Sequence, residues 1–191
     1  TYKGKTFAQA LQPGEALQGL PRRIKVDGTT VVFGPFQPAR DAAETYMADA
    51  GLPYAPPADY VQVDEERAQR IAQAYEEMKH DPQDPEVKAA YDAMISETLA
   101  QWGAIKATGL EVEFNPPGED PYGNPRNAIL DVVENNHLWV FPTDEGFGSS
   151  AFDPADNPLL APVPGEQISG RNVVVNDIFR IVHDYFGHMK E

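Results

Sequence analysis

The residues best suited to chemistry lie close together near the C-terminal end, in the stretch VNDIFRIVHDYFGHMK, residues 175–190. It contains His183 and His188, two of the four histidines. On an ideal helix each residue advances about 100°, so Asp184 and His188 lie roughly 40° apart and stack on one flank. A carboxylate and an imidazole at this spacing can chelate a divalent ion such as zinc, iron or manganese. The same spacing allows a purely structural hydrogen bond in which Asp184 fixes the imidazole tautomer. Arg180, one turn earlier, can pair with Asp184 and compete with a metal. His183 falls roughly 140° from His188 on a regular helix, which removes it from the chelate and leaves it an acid/base role or a position behind the ligands. Gly187 costs about 1 kcal/mol inside a helix; it suits a close approach to the backbone, a helix contact or the helix end.

A third ligand has to come from elsewhere. In the helix expected after Pro85, the apolar arc is Val87, Ala90, Tyr91, Met94, Ile95, Trp102 and Ile105. Gln101 falls inside that arc and Glu97 on its edge, so the helix turns polar groups towards the core side. A buried carboxylate must be paired, hydrogen-bonded or bound to a cation, which makes Glu97 the candidate metal ligand from another element. The alternative is a helix-edge Glu that reaches solvent. His137, at the start of HLWVF, reads as a strand-end or loop histidine, and His80, beside Asp-Pro, as exposed. Ser149 and Ser150 lack a G-x-S-x-G setting, and GFGSS lacks the Lys of a phosphate loop.

The elements that carry these residues can be read from period and punctuation. Asp27-Gly28 between two β-rich runs is a hairpin signal. Residues 38–50 read as a short helix stopped by Gly51. Asp64 caps a second helix whose apolar stripe is Ala68, Ile71, Ala72, Tyr75 and Met78. Asp84 and Pro85 start a third, running to about Thr108 and ended by Gly109. Residues 110–114, 128–133 and 137–141 read as strands, and Val173 to Val175 as a short one. Asn176 then caps the last helix, whose core stripe is Ile178, Ile181, Val182, Tyr185 and Met189. The Gly/Pro/Asp/Ser-rich stretch 143–170 is a long loop of the kind that often carries function. The expected fold is α+β: a helical pair and a C-terminal helix packed with a small antiparallel sheet, joined by long Pro/Gly-rich loops. The 191 residues fit a single domain, with 1–57 as a hairpin and short-helix arm and 58–191 as the helical and strand core. PYAPPADY, residues 53–60, is the one candidate boundary.

Charge narrows the partners. With 30 acidic against 15 basic residues the formal net charge is −15, which repels phosphate backbones and argues against nucleic-acid binding through a basic patch. A basic protein or a cation is the partner class that such a surface fits. There is no cysteine, so thiolate nucleophiles and Cys-based zinc sites are excluded. No run of 18 apolar residues suggests a membrane span.

Two resemblances follow from particular strings. HDYFGH resembles the motif of HD-type phosphohydrolases, in which adjacent His and Asp help hold the metal. Their pattern is the shorter His-Asp-x-Gly-His/Lys with an earlier helical histidine. Here one extra residue separates Asp184 from Gly187, and His80 and His137 are poorly placed to serve. MADAGLPYAPP, RIAQAYEEM, DPEVKAAYDAMISETLAQW, NNHLWVFPTDEGFGS and VNDIFRIVHDYFGHMKE, which together span most of the chain, resemble a protein family of tailed bacteriophages and prophages. That resemblance implies a phage or prophage origin, in the cytoplasm of an infected host or in the virion, and implies no activity. It also implies a chain that continues past Glu191 with further Glu- and His-bearing helices, which makes this sequence a fragment or processed form. The late D-x-x-x-H pair with a carboxylate on an earlier helix is similar to haem-oxygenase-like di-iron proteins, which use more ligands. The expectation is a metal-dependent phage enzyme domain, a hydrolase or di-iron-type oxidase, with Asp184, His188 and Glu97 as ligands and His183 as a catalytic group. The competing expectation is a non-catalytic protein that joins the virion or binds a host factor, in which neighbours such as Arg180 satisfy Asp184 and His188 and the acidic surface is the working part.

Overall fold

The computed structural model describes residues 6–7, 22–26, 29–33, 36–55, 63–123, 125–147 and 156–190. The fold is α+β, with six α-helices and three small separate sheets among the described residues. Strands β1 (Thr6–Phe7), β2 (Arg22–Val26) and β3 (Thr29–Phe33) form an antiparallel sheet. Val26 pairs with Thr29, the register that a two-residue Asp-Gly turn produces, although residues 27–28 themselves lie outside the described residues. Helix α1 (Gln37–Asp49) follows and ends at Gly51, whose φ of 69° takes the left-handed conformation. Although α1 falls in the stretch expected to be an arm, Ala39 is fully buried in the main core.

Helix α2 (Glu65–Glu77) is capped by Asp64, whose carboxylate accepts from the Arg67 amide at 2.9 Å, and is braced by a Glu66–Arg70 ion pair. The expected pairing of α2 with the next helix is not what holds the fold together, because α2 buries no residue. Its apolar stripe faces solvent, with Ile71 at 58% and Tyr75 at 69% exposure. Ile71→Ser and Tyr75→Ser are therefore expected to change unfolding stability by no more than about 0.5 kcal/mol. Denaturant melts check this, and a loss above about 1.5 kcal/mol would mean that the face is covered in solution.

The long helix is α3 (Pro85–Ala107). Asp84 accepts from the amides of Glu86 and Val87, Pro85 occupies the first turn, and Gly109, with φ 76°, closes the end. Thr98, Trp102 and Ile105 are its buried residues, and it packs on α1 and on the C-terminal helix.

After α3 comes β4 (Glu111–Phe114), then α4 (Pro125–Asn135) and β5 (His137–Val140). Residues 128–133, expected as a strand, are helical, and β4 and β5 are parallel rather than antiparallel. These two corrections share one cause. Parallel neighbours need a crossover, and α4 is that crossover. Asn136, with φ 52°, turns the chain from α4 into β5, and its side-chain amide donates to the Gly109 carbonyl at 2.9 Å.

The stretch expected as one long loop contains structure: α5 (Thr143–Phe147), a single 3-10 turn at Pro158–Leu160, and β6 (Pro162–Ile168). Strand β6 pairs antiparallel with β7 (Arg171–Val174). The chain then enters α6 (Val175–Val182), which continues without a break into a π-helical segment, His183–Met189. Asn176 does not cap α6. Asp177 does that work from inside the first turn: one carboxylate oxygen accepts from the Val174 amide at 2.9 Å. Its other oxygen accepts from the Thr143 amide at 2.9 Å and from the Thr143 hydroxyl at 2.6 Å. The buried Asp177 thus ties the start of α6 to the start of α5. Ile178, Ile181, Val182, Tyr185 and Met189 are buried as the stripe predicts, so the whole C-terminal segment is a core helix.

Candidate metal centre

Tyr185 and Met189 hold the inner side of the π-helical segment in the core, at 0% and 1% exposure. This leaves the outer side to His183, Asp184 and His188. A π-helix closes i→i+5 hydrogen bonds, so residues five apart stack as residues four apart do in an α-helix. His183 and His188 are five apart. Their Nε2 atoms lie 3.0 Å from one another, the rings are 80° from coplanar and the ring centroids are 4.7 Å apart. The expectation that the two histidines diverge is overturned, because it assumed an α-helical advance that the chain does not follow there. One ligand atom from each of His183, Asp184 and His188 lies within 4.8 Å of the other two, so the cluster could hold a metal ion.

The geometry suits such a role. Two imidazole nitrogens each about 2.1 Å from one ion stand roughly 3.0 Å apart at the right angle of an octahedral ion and roughly 3.4 Å apart at the tetrahedral angle of zinc. Both histidines are exposed and Asp184 is half-buried, so an ion there would keep open positions on its solvent side. Without an ion, a 3.0 Å contact between two imidazoles requires one to donate and the other to accept.

Asp184 lacks the partners that a structural role needs. Among the described residues it accepts no hydrogen bond and enters no ion pair. Arg180, its expected competitor, instead donates from Nη1 to the Phe141 carbonyl at 2.9 Å. Burial raises the Asp184 carboxyl above the ordinary range for an aspartate, against smaller opposing effects from His188, His183 and Arg180. A half-buried carboxylate without a partner is costly, and a cation is one way to satisfy it.

Glu97 does not join this group. It lies exposed on α3, outside the three-residue cluster, while the neighbouring Thr98 is the polar residue that α3 buries. Gln101 is half-buried, as its place in the apolar arc predicts. His80 is exposed. Gly187 lies against the His183 ring: a Cβ added there would meet Nδ1 at 3.8 Å, an ordinary contact.

A second polar group lies beside the cluster. Asp131 of α4 receives the Tyr122 hydroxyl at 2.8 Å, Asn135 Nδ2 at 2.7 Å and His137 Nδ1 at 2.7 Å. Glu113 Oε2 of β4 stands 3.3 Å from His137 Nε2. The Tyr122 oxygen also accepts from the Trp139 amide at 2.8 Å. Burial raises the Tyr122 phenol far above its usual value, and the charges of Asp131 and Asp184 act in the same direction. His137 is thus the strand-end histidine that the sequence indicates, locking β5 to α4 and β4. The signal that could have found this group is Asp131 and Asn135 at i, i+4, a helical spacing within a run read as a strand.

No protein-family model, curated protein or solved structure matches the chain. No helix among the described residues is long and apolar enough to cross a membrane.

Proposed function

We propose that this chain is a metal-dependent enzyme domain, a hydrolase, with His183, Asp184 and His188 as the ligands of a single divalent ion. The observation that carries the reading is the convergence of His183 and His188 on the π-helical turn, beside a carboxylate that has no hydrogen-bond or ion-pair partner among the described residues. Two histidines and one carboxylate suit zinc, iron(II) or manganese, and three protein ligands leave positions for water and substrate. An ion so held supplies Lewis acidity and brings the pKa of its water towards about 7, the chemistry of a hydrolytic site. His183 is then a ligand in place of the acid/base group first expected. A di-iron site asks for bridging carboxylates from other helices, and Glu97, exposed on α3, supports a single-ion site instead. The phage or prophage origin, and with it a place in the infected cell or the virion, rests on the string resemblance.

The test is elemental analysis and equilibrium dialysis of the purified chain with Zn²⁺, Mn²⁺ and Fe²⁺. One ion per chain, removable by chelator, is the expected result. A chain that binds none of the three at micromolar concentration overturns the reading.

A further inference from the structure

Arg180 stands apart from the other arginines whose partners the structure gives. Arg70 and Arg171 are each paired with a carboxylate. Arg180 is half-buried in a chain with twice as many acidic as basic residues, yet no carboxylate reaches ion-pairing distance of it among the described residues. Its only hydrogen bond there is the one from Nη1 to the Phe141 carbonyl. A guanidinium has five N–H donors in a rigid fork, so among the described residues most of its capacity is unused.

Its position is set by the fold. Gly146 of α5 makes room for it: a Cβ at Gly146 would come within 3.4 Å of Nη2 and 3.6 Å of the Phe141 ring. The Phe141 carbonyl then holds the head group. Asp177 fixes the start of α6, three residues before Arg180, by its bonds to Thr143 and Val174. Arg180 lies three residues before His183 and four before Asp184, and so on the same flank of the helix, one turn below the cluster. The local charge differs from that of the whole chain. Over residues 175–190 Asp177 and Asp184 are balanced by Arg180 and Lys190, against −15 for the whole chain.

We propose that Arg180 binds an oxyanion, phosphoryl or carboxylate, on the substrate handled at the His183–Asp184–His188 site. This inference rests on the metal-site reading. An anionic substrate approaches a strongly acidic protein against its mean field, so a fixed cation beside the ion is what local recognition needs. A planar fork suits an oxyanion better than a point charge does, because it can engage two oxygens at once.

The experiment is calorimetric titration of the full chain, first with Mn²⁺ or Zn²⁺, then of the metal-loaded protein with inorganic phosphate and, separately, acetate. Arg180→Gln is expected to keep metal affinity within about 3-fold and to weaken binding of the preferred anion by about 10-fold or more. Arg180→Lys, which keeps charge and a donor for the Phe141 carbonyl, is expected to fall between the two, and controls for loss of folding. Tighter binding of phosphate assigns a phosphoryl group; acetate binding at least as tight assigns a carboxylate. Unchanged anion affinity in metal-loaded Arg180→Gln overturns this inference alone. Absence of metal binding in the parent titration overturns it together with the metal site.

Discussion

His183→Ala should lower metal affinity as severely as His188→Ala, by about 100-fold or more in each case. Loss of a group that merely orients a ligand already costs about 10- to 100-fold in affinity, so loss of a direct ligand should cost at least the upper end of that range, about 2.7 kcal/mol. The equality of the two effects is the informative part. On an α-helix the two imidazoles point to different sides, and removing His183 would leave an Asp184–His188 chelate nearly intact. On the π-helical turn their Nε2 atoms are 3.0 Å apart, and either loss would leave the proposed site with two ligands. Isothermal titration with Zn²⁺ or Mn²⁺, compared across the parent and the two variants, reads the difference. A His183→Ala protein that binds metal like the parent would show that the helix is α-helical in solution and that the site needs another third ligand. Both histidines are exposed, so neither substitution should disturb the core, and thermal melts of the metal-free variants should overlay that of the parent.

At the π-helical turn the sequence pattern no longer determines the geometry. The stripe Ile178, Ile181, Val182, Tyr185, Met189 was legible and correct, because apolar spacings of three and four residues satisfy the core whether or not one turn is widened. That tolerance is what hid the turn. Nothing in the stripe distinguishes an α-helical from a π-helical advance between Val182 and Met189, and the difference decides whether His183 meets His188. The residues that bear on it are the two histidines five apart, with low-propensity Gly187 between them. Caps were read more reliably. Asp64 and Asp84 lie next to the first turn and act through local bonds that need no tertiary context. Asn176 is not the cap because α6 starts at Val175, which puts Asn176 inside the first turn, where its amide donates to the Thr143 hydroxyl oxygen at 3.1 Å. The direction of β4 and β5 was lost for a related reason. A strand at residues 128–133 leaves no element to carry a parallel crossover, although the chain from Asn115 to Asn136 is long enough for one. Glu97 shows the limit of edge positions: a residue on the border of an apolar arc is turned in or out by whatever packs there, and α3 buries Thr98 instead.

The same cluster should show a conflict between stability and binding at Asp184. Burial raises its carboxyl above the unfolded value, so at neutral pH the folded chain carries a charge that it holds less comfortably than the unfolded chain does. A group whose folded pKa is raised contributes favourably below its unfolded pKa, and that contribution is lost as pH rises through the folded pKa. Asp184→Asn removes the charge with little change of shape. In metal-free protein at pH 7 it is therefore expected to raise Tm modestly, on the order of 1 to 3 °C for a chain of this size. The gain should shrink as the pH falls and vanish below about pH 3.9, where Asp184 in the parent is also neutral in both states. Saturating metal should reverse the order. The carboxylate must be ionised to serve as a ligand, so the parent gains about 2.7 kcal/mol at a free metal concentration 100 times its Kd. The Asn variant, with affinity lowered about 100-fold or more, gains little at the same concentration. Differential scanning calorimetry of both proteins with and without metal, at pH 7 and pH 4, contains the whole test. A carboxylate kept for structure predicts the opposite metal-free result, a variant less stable than the parent. If metal moves both melting curves equally, Asp184 is not a ligand, and its cost to the fold would need another purpose.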